Sequence, residues 1–116
     1  MENFKHILFD LDGTLVDSGP DLLEALNYTL KNNNLKPIDE RHIGHLVGDG
    51  AEVMIKKGFS FYNKKISFKK LPLLIKEFLT YYKDNCSIYS KPYHGVIDTL
   101  KFLNLKKYKL AVCTNK

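Results

Sequence analysis

The sequence predicts an α/β fold in which a parallel-sheet core is interrupted by a helical insertion. Three observations point there. Short apolar runs sit at the two ends of the chain, residues 4–9 (FKHILF) and 109–113 (KLAVC). Each has the length of a buried strand. The first run ends in an acidic-glycine turn, Asp10 to Gly13, which favours strand over helix. The long middle carries only helical spacing, and one strand at each end around a helical middle is unusual for a self-contained domain. The expected division is residues 1–16 as core, 17–85 as a helical insertion, and 86–116 as core again.

Each element has its own local reason. Gly13 can take a positive φ in the turn after the first strand. Ser18-Gly19-Pro20-Asp21 reads as a helix start with Pro20 near the first helical position. Leu22, Leu23, Leu26 and Leu30 follow at helical spacing until Asn32-Asn33-Asn34 ends the run. Pro37 breaks the chain, and Asp39 can cap a short helix carrying Ile43 and Leu46. Gly48-Asp49-Gly50 makes a tight turn, after which residues 51–57 form a helical piece closed by Gly58. Leu71, Leu74, Ile75, Phe78, Leu79 and Tyr82 recur at steps of three and four, one face of a helix and a packing stripe. Residues 92–95 form a loop. Val96, Leu100 and Leu103 then give a second helical face, ending near Lys106-Lys107.

Length and composition set bounds on function. With 116 residues, 44% apolar and 27% charged, the chain has the profile of an ordinary soluble domain. No apolar run approaches the roughly 20 residues that span a bilayer. The start of the chain lacks the basic-then-apolar pattern of a secretory leader. Cys86 and Cys113 are too few and too far apart for a disulfide framework or a metal knuckle, so a cytoplasmic location is expected. Net charge is +5, and residues 53–83 hold eight lysines against the single acid Glu77. Such a stretch reads as a solvated helix face, with general attraction to anions as the other reading. Seventeen of the 18 basic residues are lysine, with Arg41 the exception. Specific nucleic-acid readout, which favours arginine's planar fork, is not expected.

The candidate chemistry sits at the strand ends. In open α/β sheets, ligands gather outside the carboxyl ends of the strands. Asp10 and Asp12 can both turn toward that crevice if Leu11 packs away from it. Two clustered carboxylates repel, so a cation is their natural companion, and oxygen-only ligands favour a hard ion such as Mg²⁺. One aspartate, ionised, can attack phosphorus to form an aspartyl-phosphate. The other can protonate the leaving alcohol and later take a proton from water. Thr114 ends the other strand and lies on the same rim if the strands are parallel. Its hydroxyl and neighbouring N–H groups suit phosphate oxygens. His42, His45 and His94 have no partner at metal spacing, and His6 lies within the first strand as a packed or edge residue.

Residues 9–18 (FDLDGTLVDS) resemble the first motif of the haloacid dehalogenase superfamily, and residues 112–116 (VCTNK) resemble its second. Residues 46–51 (LVGDGA) and 91–96 (KPYHGV) are similar to the phosphoglycolate phosphatase branch. The resemblance covers essentially the whole chain and implies a Rossmann-like core with a helical cap inserted after the first strand. Carried over by position, it implies Asp10 as nucleophile and Mg²⁺ ligand. Asp12 becomes the general acid/base, its backbone carbonyl on the metal, and Thr114 with Asn115 becomes the phosphate-binding pair. Gly48, Asp49 and Gly50 read either as a turn between helices or, by the resemblance, as a loop that touches substrate. The implied activity is hydrolysis of a small phosphorylated metabolite, foremost 2-phosphoglycolate, with pyrophosphate or a sugar phosphate as alternatives. The family pattern continues with a third-motif lysine and a fourth-motif acid beyond the position where this sequence ends. A truncated chain with little activity alone, an inactive fragment or a pseudoenzyme, is therefore a further expectation.

Overall fold

The computed structural model describes residues 5–114. The chain divides into two compact units: unit 1 comprises the chain up to Asp17 and again from Lys91, and unit 2 is Ser18–Ser90. The first crossing follows the strand-and-turn segment. The second falls at Ser90/Lys91, beyond the helix end at Asn85 where the sequence draws it.

Unit 1 contains β1 (His6–Phe9), β2 (Val16–Asp17), β3 (Lys91–Pro92), α5 (Val96–Leu105) and β4 (Lys109–Val112). The two apolar runs are the strands β1 and β4. They pair in parallel, with His6 opposite Lys109 and Phe9 opposite Val112. The ladder continues one step further, where Cys113 N–H donates to the Phe9 carbonyl at 2.8 Å. This is the parallel pair of a Rossmann-like α/β core. β2 and β3 form a separate antiparallel ladder of two residues each, Val16 opposite Pro92 and Asp17 opposite Lys91. α5 begins at Gly95, whose φ of 84° suits a residue without a Cβ. Its half-buried stripe is Val96, Leu100 and Leu103.

Unit 2 is helical: α1 (Gly19–Asn32), a 3₁₀ turn at Glu40–His42, α2 (Ile43–Leu46), α3 (Gly50–Phe61) and α4 (Leu71–Asn85). Pro20 sits in the first turn of α1, where its missing N–H costs nothing. The Asp39 carboxylate accepts from Arg41 N–H at 2.9 Å and starts the 3₁₀ turn. α1 and α3 end alike: Asn34 (φ 60°) and Asn63 (φ 55°) take the left-handed conformation. The next N–H groups, of Leu35 and Lys64, return to the carbonyls of Leu30 and Phe59.

That ending corrects one expectation. Gly58 does not close α3, which runs on to Phe61. A Cβ built on Gly58 would lie 2.8 Å from Leu26 Cδ1. The glycine therefore permits close packing of α3 on α1, and Asn63 supplies the stop.

The core of unit 2 gathers Leu23, Leu26 and Leu30 of α1 with Met54, Ile55 and Phe59 of α3, and Leu74, Phe78 and Tyr82 of α4. The α4 stripe is buried at those three positions, while Leu79 at its edge is exposed. Asn27 ties the loop after α1 to the helix. Its amide donates to the Ile38 carbonyl at 3.0 Å and accepts from Ile38 N–H at 2.8 Å. One side chain thus meets both polar groups of a buried residue's backbone. Apart from half-buried Lys57, the lysines of residues 53–83 are exposed, in keeping with a solvated face. Lys56 pairs with Glu52 at 3.6 Å.

Candidate active site

β1 delivers the chain to Asp10 at its carboxyl end. Asp10 is exposed, and its Oδ1 accepts from Leu11 N–H at 2.9 Å. The turn that follows closes on a single acceptor. The Leu11 carbonyl takes the N–H groups of Thr14, Leu15 and Val16 at 3.2, 3.0 and 3.0 Å, and Gly13 N–H reaches the Val16 carbonyl at 2.9 Å. Gly13 has φ 80°, which a side chain would resist. Leu11 is half-buried, and Asp12 is held inside the turn with its Oδ1 buried. Leu15 is buried, and its carbonyl accepts from Tyr93 N–H at 3.2 Å. Tyr93 therefore fixes the turn from the other segment of unit 1. Sequence reasoning missed this contact, because a backbone hydrogen bond between distant segments leaves no mark on composition.

Parallel pairing decides where Thr114 lies. With Phe9 opposite Val112, the residues after both strands leave the sheet at the same end. Asp10 follows β1 directly, and Thr114, exposed, follows β4 by two residues. Asp10, the Asp12 turn and Thr114 thus share the carboxyl edge of one sheet, the location where α/β sheets bind ligands. Asn115, the other predicted phosphate-binding residue, lies outside the described residues.

Gly48, Asp49 and Gly50 belong to unit 2, between α2 and α3, and all three are exposed. Gly48 and Gly50 have φ of 116° and 88°, and Asp49 lies 3.4 Å from Lys57 Nζ. A surface hollow of about 410 Å³ in unit 2, lined by Tyr28, Glu77 and Tyr81 among others, contains none of the predicted site residues. A hollow by itself does not define chemistry, and the strand-end carboxylates remain the better candidate.

A second carboxylate in unit 2 also escaped the sequence reading. Asp21, in the first turn of α1, accepts from Tyr89 N–H at 3.0 Å to each oxygen. Ser90 N–H and Oγ donate to its Oδ2 at 2.7 and 2.6 Å. The carboxylate thereby ties the start of unit 2 to its end. An acid in a first helical turn was legible, but its partners 68 and 69 residues away were not.

Comparison with known proteins agrees with this fold. The family profile for haloacid dehalogenase-like hydrolases matches residues 7–116. The chain is 42% identical over 109 residues to a phosphoglycolate phosphatase of Agrobacterium fabrum, covering 94% of this chain and 47% of that protein. It is 31% identical to an N-acetylmuramic acid 6-phosphate phosphatase of Pseudomonas aeruginosa, covering 97% of this chain and 48% of the relative. The crystal structure of a predicted phosphoglycolate phosphatase from Haemophilus somnus superimposes with a TM-score of 0.83 at 37% identity, over 100% of this chain and 53% of that one. The parallel pair is thus part of an incomplete Rossmann-like α/β core of the haloacid dehalogenase type. The chain belongs to the haloacid dehalogenase-like hydrolase family. It spans about half the length of the curated relatives it matches.

Among the described residues, no helix is long and apolar enough to cross a membrane.

Proposed function

We propose that this chain carries the nucleophile and the general acid/base of a phosphatase acting on a small phosphate monoester, with 2-phosphoglycolate the first candidate. One observation carries the reading: Asp10, the turn holding Asp12, and Thr114 emerge at the same edge of a parallel strand pair. An Asp10 carboxylate oxygen attacks phosphorus, and the bond from phosphorus to the ester oxygen breaks. Asp12 gives its proton to the departing alkoxide. Water then attacks the aspartyl-phosphate, Asp12 takes its proton, and the bond from phosphorus to the Asp10 oxygen breaks to release phosphate. Thr114 supports the transferring group through its hydroxyl and adjacent N–H groups.

No cluster of three or more His, Cys, Asp or Glu side chains forms among the described residues. In this reading the metal donors are the Asp10 carboxylate and the Asp12 backbone carbonyl, the two that the resemblance to the first motif implies. Both are hard oxygen donors, and they fit in kind a Mg²⁺ ion, which retains several waters. When bound, Mg²⁺ would offset the repulsion between Asp10 and an anionic ester. The N-acetylmuramic acid 6-phosphate phosphatase among the relatives gives specific ground for a second reading, a sugar phosphate as substrate.

The test is a single-chain chimera joining these 116 residues to the remaining half of the Agrobacterium relative. Phosphate release is measured with 2-phosphoglycolate and with a sugar 6-phosphate. Release should require Mg²⁺, and Asp10→Asn should lower kcat by roughly a thousandfold or more. An undiminished rate in the Asp10→Asn chimera would refute the assignment.

A further inference from the structure

The connection from α3 to α4, residues 62–70 (YNKKISFKK), holds four lysines and no acid. Lys64, Lys65, Lys69 and Lys70 are all exposed, and no ion pair among the described residues involves them. Lys56 and Lys57 on α3, by contrast, lie 3.6 and 3.4 Å from the carboxylates of Glu52 and Asp49. Between the two lysine pairs of the connection stands Phe68, 94% exposed, the barest large apolar side chain among the described residues. The same end of the helix pair also bares Phe61, which closes α3, and Leu73, in the first turn of α4.

Local contacts fix this presentation. Ile66 packs against the core of unit 2, and Tyr62 Oη donates to the Lys36 and Pro37 carbonyls at 2.8 and 3.1 Å. The Ser67 carbonyl accepts from Lys70 N–H and Leu71 N–H, each at 3.1 Å, and its Oγ accepts from Lys70 N–H at 3.2 Å. The turn into α4 is thereby set, with Phe68 outward and a lysine pair on either side. Transfer of a phenyl group from water to an apolar phase is favourable, and the lysines favour a phase edged by negative charge. Lysine is a hydrated point charge suited to a diffuse anionic surface rather than to bidentate readout. Nucleobases stack on rings, which would leave Leu73 without a partner, whereas acyl chains accept all three apolar side chains.

We propose that the α3–α4 connection is a peripheral membrane-binding surface that docks unit 2 on an anionic lipid bilayer. Phe68 enters the boundary between headgroups and acyl chains, with Phe61 and Leu73 at its margin. The four lysines lie against the negatively charged headgroups. Attachment is reversible, because one aromatic anchor and four surface charges fall far short of a spanning helix. The surface is independent of the phosphatase reading, since the connection contains none of Asp10, Asp12 and Thr114.

The 116-residue chain is sedimented with vesicles of phosphatidylcholine alone, or of phosphatidylcholine with about one third phosphatidylglycerol. Binding is expected only to the anionic vesicles, and it should be lost between about 0.1 and about 0.5 M NaCl. Lys64→Gln with Lys65→Gln should lower the partition coefficient roughly twenty-fivefold, about fivefold for each lysine. A charge-matched pair on unit 1, Lys101→Gln with Lys107→Gln, should change it by less than about twofold. Phe68→Ser should lower it roughly tenfold. All five positions are exposed, so the core is untouched, and circular dichroism checks that each variant keeps its helices. The chain has no tryptophan, so Phe68→Trp introduces a single indole. Its emission should shift to the blue on anionic vesicles and be quenched by lipids brominated in the acyl chain, which free phosphate cannot do. Failure to bind anionic vesicles overturns the proposal, including the case in which single-stranded RNA binds instead. Equal losses from the two lysine pairs overturn it too, as does binding indifferent to Phe68→Ser with an unquenched indole, the mark of net charge alone.

Discussion

Replacing Asp21 with alanine should destabilise unit 2 by about 3–4 kcal/mol, and the figure can be built from its contacts. The carboxylate is 1% exposed and accepts from Tyr89 N–H, Ser90 N–H and Ser90 Oγ, the last two at 2.7 and 2.6 Å. Hydrogen bonds to a charged group each contribute about 1.5–3 kcal/mol, so three give a gross value of about 4.5–9 kcal/mol. Two effects reduce it. Burying the carboxylate costs desolvation that alanine does not incur, and the half-buried Ser90 backbone regains some contact with water. Position also matters, since an acid in the first turn of a helix interacts favourably with the helix dipole. The net of about 3–4 kcal/mol would lower the melting temperature by roughly 12–32 °C for a domain of this size. Asp21→Asn keeps the shape but turns a donor toward donors, and should cost about 1–2 kcal/mol. Ser90→Ala, which deletes only the hydroxyl, should cost about 1 kcal/mol. Urea unfolding followed by far-ultraviolet circular dichroism measures the differences, and amide exchange at Tyr89 and Ser90 locates them. If Asp21→Ala unfolds within 1 kcal/mol of the parent, or leaves those two amides equally protected, the tie does not hold the ends of unit 2 together.

Two further outcomes follow from the packing of unit 2. Asn27→Ala removes both hydrogen bonds to Ile38, whose backbone sits beside a buried side chain, and should cost about 1–3 kcal/mol in the same unfolding assay. Asn27→Asp should recover only the bond from Ile38 N–H. Gly58→Ala places a methyl 2.8 Å from Leu26 Cδ1, and overpacking of about 1–3 kcal/mol competes with roughly 1 kcal/mol of gained helix propensity. A net loss is expected, and it should shrink or reverse in a Leu26→Ala background, where the methyl has room. Additive effects of the two substitutions would show that the residues do not press on each other.

What was legible in the sequence depended on whether the signal was local. The strands β1 and β4 stand out as apolar runs bounded by turn residues. The start of α1 is written in Ser18-Gly19-Pro20, and the α4 stripe in the recurrence of Leu74, Phe78 and Tyr82. The positions of Asp10 and Thr114 were legible for the same reason, because each follows a strand within two residues. Two-residue strands such as β2 and β3 carry no periodicity and gave no sign. Gly58 misled because a glycine near a helix end has two uses, a left-handed stop and a close packing contact. Only the Leu26 side chain, 32 positions away, separates them. The reach of unit 2 to Ser90 was hidden likewise, since it depends on where the Asp21 carboxylate finds its donors.

The same contrast bears on the site itself. The contacts described around the Asp10–Asp12 turn lie in unit 1: the Leu11 carbonyl, the Gly13 turn, the Leu15–Tyr93 hydrogen bond and the parallel register with β4. That unit has one buried apolar side chain among its described residues, against a full helical core in unit 2. Burial of apolar surface is the dominant favourable term in folding, and backbone hydrogen bonds in an open sheet compete with water. A substitution in the helical core, however destabilising, acts on a different unit from the aspartates. A charge introduced on the sheet face at Leu8 acts on the strand that presents Asp10 two residues later. In this chain the residues with the clearest chemical signature follow strands on which Leu8 and Val112 are exposed, while the well-covered apolar groups lie in the other unit.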